Sequence, residues 1–144
     1  MILSFKEQFV EKIKQEHKTT TIRKSGRWKV GQKIHFWKGS PRNPKSNPYH
    51  FGMGVVERVE HIELWLGEGK KDHLMFLLNR NNQKGIYLGG KNRKMANEIA
   101  KNDGFENWDE LREWFRNTYK KQIDERGNLF LEDLDLIHFT YEGL

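Results

Sequence analysis

The order in which the apolar periodicity changes constrains this chain most. Helical spacing, three to four residues, occurs at three places only. Phe9, Val10 and Ile13 mark a helix over 6–16. Met95, Ala96, Ile99 and Ala100 mark a second over about 91–102. Leu111, Trp114, Phe115 and Thr118 line the inner face of a third, capped by Asn107 with Glu110 at its third position. From Thr19 to Gly90 the pattern is that of short strands with no helix between them. A doubly wound parallel sheet needs crossover helices at regular intervals, so the pattern argues against one. The pattern predicts an α+β fold: a small mixed, mostly antiparallel β-barrel of about six strands with about three flanking helices.

Local signals place the strands. Ile2–Phe5 reads as an opening strand, and Ser4 with Glu7 matches a capping box for the first helix. Thr19–Arg23 is β-branched and extended. Lys33–Trp37 alternates, with Ile34 and Phe36 on one face. Residues 38–48 hold all three prolines and form a long basic loop. Phe51, Met53 and Val55 alternate until Val56 breaks the period, which predicts a bulge. Further strands are expected at His73–Leu78, within Gly85–Gly90, and at about 134–141. Asp103-Gly104 ends the second helix, with Gly104 left-handed.

Composition narrows the class. A chain of 144 residues makes one domain, 1–144. Only 35% of residues are hydrophobic, yet there are five Trp, four Tyr and nine Phe, so the core is small and aromatic. There is no cysteine, which excludes disulfides, thiol catalysis and the usual structural zinc sites. No apolar run approaches the ~20 residues of a membrane helix, and no signal peptide is visible, so cytoplasmic residence is expected. Charge is uneven. Residues 1–50 carry 12 Lys/Arg against 3 Asp/Glu, whereas residues 103–144 carry 5 against 11. A basic half suggests a polyanionic partner.

The six histidines show no HxxxH or HxH spacing, so no metal and no cofactor are expected. Phosphate-cradling glycine loops and nucleophile elbows are also missing. Instead, Arg23, Lys24, Arg27, Lys29 and Lys33 lie close in sequence to Trp28, Phe36 and Trp37. Cations that reach phosphates beside rings that stack on bases favour single-stranded or looped RNA. Arg23, Lys24, Arg27, Trp28, Lys29 and Trp37 are the expected binding residues.

The segment His17-Lys18-Thr19-Thr20-Thr21-Ile22-Arg23 follows a helix and precedes Lys29-Val30-Gly31-Gln32-Lys33. This resembles the ASCH domain family, related to PUA domains. Ala100–Phe105 followed by Trp108–Leu111 resembles that family's second block, and Leu136–Phe139 its last strand. The resemblance implies a PUA-like β-barrel with a cleft for RNA or a modified nucleoside. Some members deacylate N4-acetylcytidine with a Lys, a Thr three residues later, and a carboxylate. Carried over, these are Lys18, Thr21 and Asp103 as catalytic residues, with Arg23 beside them. The amidohydrolase branch has Glu where Asp103 stands, and this chain is longer in 38–50 and 66–93. Two other readings stay open: a ribonuclease acting on single-stranded RNA, and a non-enzymatic module that docks a protein through the acidic tail and the helix at 107–119. In a regular strand Lys18 and Thr21 would face opposite ways, so a shared site requires a bend between them.

Overall fold

The computed structural model describes residues 1–79 and 82–144. Among these, seven strands and three α-helices follow in the order β1 (Ile2–Phe5), α1 (Glu7–Lys14), β2 (Thr20–Lys24), β3 (Lys33–Lys38), β4 (Tyr49–Leu66), β5 (Asp72–Asn79), β6 (Asn82–Tyr87), α2 (Arg93–Asn102), α3 (Trp108–Thr118) and β7 (Leu129–Gly143). Short 3-10 turns fill several connections. The fold is mixed α+β, with a sheet that is antiparallel except for the β1–β3 pair.

Strand β4 organises the sheet. One edge pairs with β7 over nearly its whole length. The other edge takes β3 along its first half and β5 along its second. Register shifts near Met53 and Val56 bend β4 so that one long strand serves both halves, as the break in alternation predicts. From β4 the sheet runs outward to β1 through β3, to β6 through β5, and to β2 through β7. Strands β1 and β2 are each paired on one side only, and among the described residues no backbone ladder joins them. A side-chain bridge crosses the seam instead: Arg23 Nη2 donates to the Ser4 carbonyl at 2.7 Å.

The core is aromatic, as the composition implies. Phe5, Phe36, Phe51 and Phe139 cluster with ring centroids 5.2–6.3 Å apart. Helix α1 buries Phe9, Val10 and Ile13. Helix α3 is clamped by a buried polar cluster: Asp72 accepts from Trp108 Nε1 at 2.8 Å and from Arg112 Nε at 3.1 Å, and Arg112 also donates to the Gly67 carbonyl.

Several expectations need correction. Ser4 lies inside β1 and does not cap α1; Lys6 occupies the cap position without a side-chain bond. Thr118 is exposed, and Arg112 is buried instead, because Asp72 supplies the partner that a buried guanidinium needs. The closing strand starts at Leu129, five residues earlier than expected, and β6 spans 82–87. Asn107 caps α3 by accepting from the Glu110 N–H, and Gly104 has φ +95°, both as predicted. No helix among the described residues is long and apolar enough to cross a membrane.

Candidate functional site

The unpaired seam between β1 and β2 opens into a cavity of about 260 Å³. Its walls come from β1 (Ser4, Phe5), β2 (Thr21–Lys24), the end of α2 (Asp103, Phe105) and α3 (Trp114, Phe115), and Lys18 also lines it. Lys18, Thr21, Arg23 and Asp103, distant in sequence, all line it.

The bend that their convergence requires is present. Lys18 precedes β2; its N–H bonds the Lys12 carbonyl, and the Thr19 N–H bonds the Asn102 carbonyl. The chain is therefore pinned to α1 and α2 before it enters the strand. Lys18 is free of strand alternation, and Thr21 sits one residue inside.

Lys18 and Asp103 are each only 3% exposed. Lys18 Nζ donates to the Thr20 carbonyl at 2.8 Å, the Asp103 carbonyl at 2.5 Å and Asp103 Oδ1 at 3.4 Å. An ammonium has three protons, and these three acceptors use all of them. Thr20 Oγ1 donates to the same Oδ1 at 3.1 Å. The rings of Phe9 and Phe5 lie 4.8 and 5.7 Å from Nζ. Burial lowers the Lys18 amine to about 8, with the Arg23 cation adding to the effect and Asp103 opposing it. Burial likewise raises the Asp103 carboxyl, against the pull of Lys18 and the Thr20 hydrogen bond.

Gly104 makes this packing possible. A Cβ there would lie 2.9 Å from both Lys18 Cδ and Phe9 Cδ1. Its carbonyl accepts from Lys12 Nζ at 2.6 Å.

Arg23 Nε donates to Thr21 Oγ1 at 3.2 Å, which leaves the threonine O–H free to donate elsewhere. Its guanidinium lies 4.9 Å from the Phe5 ring, and Nη1 has no partner among the described residues. Burial lowers the Arg23 pKa, with Asp103 opposing. On the far wall Phe9, Phe105 and Trp114 form a ring cluster with centroids 5.5–6.5 Å apart. Lys6 Nζ lies 5.5 Å from the Trp114 ring.

Of the other expected binding residues, only Lys24 lines this cavity. Trp28 requires correction. It is 8% exposed and belongs to the core, so its ring is not available to stack on a base. Arg27 lies over that ring at 5.4 Å, and Lys29 is exposed on the following turn. Trp37 is half-buried against His50, away from the cavity. Conversely, sequence reasoning missed Phe5, Phe105, Trp114 and Tyr119 as cavity walls, and Thr20 as the hydroxyl that binds Asp103. Helical spacing marks Trp114 as an inward residue, but inward-facing rings line a core and a pocket with the same periodicity.

Comparison with known families, curated proteins and solved structures finds no match.

Proposed function

We propose that this chain is an ASCH-type, PUA-like domain that binds a base of RNA or a modified nucleoside in the cavity between β1 and β2. One observation carries the reading: Lys18, Thr21, Arg23 and Asp103 converge in a single aromatic-walled cavity. A base is flat, has a π face, and presents donors and acceptors at its edge. Aromatic walls suit the face, and one hydroxyl, one guanidinium and one carboxylate suit the edge. In this reading the sheet is a PUA-like barrel left open at the β1–β2 seam, and the opening is the ligand's entrance. The basic first half would attract the polyanion.

The chemistry we propose is hydrolysis of an N4-acylated cytidine. Water adds to the acyl carbon, the carbon–N4 bond breaks, and carboxylic acid and cytidine leave. The roles differ from a simple lysine base. With all three protons engaged, Lys18 serves as a fixed cation that holds Asp103 in place. Arg23 Nη1 and the free Thr21 O–H are the donors placed to stabilise the oxyanion. Asp103, raised by burial, is the group suited to exchange a proton with N4.

Incubation with N4-acetylcytidine, followed by acetate release, tests the activity. Turnover that falls sharply in Thr21→Val and Asp103→Asn is expected. No turnover by the wild type, or equal turnover by those variants, removes the hydrolytic reading. Short RNAs titrated at several salt concentrations test binding. A flat dependence of log affinity on log salt removes phosphate contact by the basic half.

A further inference from the structure

On the outer face of the β3–β4 pair, outside the lining of the cavity, two histidines meet. His35 Nδ1 and His50 Nε2 are 3.4 Å apart, with ring centroids 5.4 Å apart. Both rings are half-buried. The separation is long for an N–H···N hydrogen bond between neutral rings. It matches two nitrogens bound to one metal, which at metal–nitrogen distances near 2.0 Å and trigonal to tetrahedral angles lie about 3.3–3.5 Å apart. Neutral imidazoles present lone pairs at these two atoms by carrying their protons on the opposite ring nitrogens, so binding requires a tautomer choice and no proton loss.

The surroundings specify which metal. Met53 is directly opposite His35 in the ladder, so its thioether is carried on the same face. Trp37 is opposite His50, with ring centroids 5.5 Å apart. No carboxylate joins them, and no group of three His, Cys, Asp or Glu suited to a metal occurs among the described residues. Two imidazoles and a thioether disfavour calcium, magnesium and manganese and leave zinc short of ligands. An indole face beside the site also suits a monovalent ion.

We propose that His35, His50 and Met53 form a binding site for a soft monovalent metal ion, copper(I). The histidines are fifteen residues apart in sequence, outside any metal motif, and only the antiparallel return of β4 on β3 joins them.

The test is anaerobic competition for copper(I) between the 144-residue chain and a chromophoric copper(I) chelator, with zinc(II) titrated in parallel. One equivalent of copper(I) is expected to bind, with quenching of tryptophan fluorescence. His35→Asn and His50→Asn should each weaken binding by at least roughly tenfold, and Met53→Leu by less. Circular dichroism checks that each variant is folded. The proposal is overturned by absence of copper(I) uptake at micromolar protein, by wild-type affinity in both histidine variants, or by zinc(II) binding as tightly as copper(I).

Discussion

Raising the pH above neutrality should stabilise the wild-type chain relative to a Lys18→Met/Asp103→Asn double variant. Lys18 in the fold loses its proton near 8, whereas in the unfolded chain it keeps it to about 10.5. Below 8 both states hold the proton, so Lys18 adds no pH dependence to the difference there. Between 8 and 10.5 the unfolded state binds more protons, so wild-type stability rises with pH. Above 10.5 neither state holds the proton and the gain is complete. The fold binds this proton roughly three hundredfold more weakly than the unfolded chain, which corresponds to about 3 kcal/mol. Methionine keeps the buried stem against Gly104 and Phe9 without the charge, and the substituted amide oxygen at position 103 still accepts from Thr20. Other lysines and tyrosines titrate in both proteins and cancel in the difference. Urea unfolding at pH steps from neutral to about 10.5 measures it. A difference that stays flat, or that favours the variant as pH rises, refutes the account of Lys18 as a cation held against its burial cost. Asp103→Asn alone should move the rise below pH 8, because the carboxylate that favours the ammonium is gone.

Three further perturbations follow from the same geometry. Gly104→Ala places a Cβ against Lys18 and Phe9 at positive φ and should cost about 2–4 kcal/mol by urea unfolding; a loss under about 0.5 kcal/mol contradicts the packing described. Arg23→Lys removes the fork that joins Thr21 to Ser4 and should weaken nucleoside binding by folded protein by roughly tenfold or more, read by calorimetric titration. Arg112→Met leaves Asp72 with an unpaired buried charge and should destabilise by about 3–5 kcal/mol, while folded protein keeps its affinity for the cavity ligand.

The sequence is most legible where a residue has one physical use. Gly104 after a helical run, Asn107 three residues before Glu110, and the broken alternation at Val55-Val56 each lead directly to a cap or a bulge. It misleads where one residue type serves two purposes. Trp28 beside Arg27 and Lys29 suits a stacking surface or a core ring, and burial decides for the core. The run Thr19-Thr20-Thr21 does not show which hydroxyl meets Asp103, because that depends on where α1 and α2 release the chain into β2. Strand β7 reads short in the sequence because Asp133, at φ +55°, interrupts alternation between Leu131 and Leu134. The aromatic wall of the cavity and the His35–His50 contact depend on long-range pairing, which local periodicity does not encode.

The most direct test of the central claim is a nuclear magnetic resonance titration of the labelled protein with N4-acetylcytidine and with cytidine. The account predicts saturable shifts at Phe5, Lys18, Thr21, Arg23, Asp103 and Phe105, with Trp28 and Arg27 unmoved. Shifts centred away from the β1–β2 seam, or none at millimolar ligand, would contradict it.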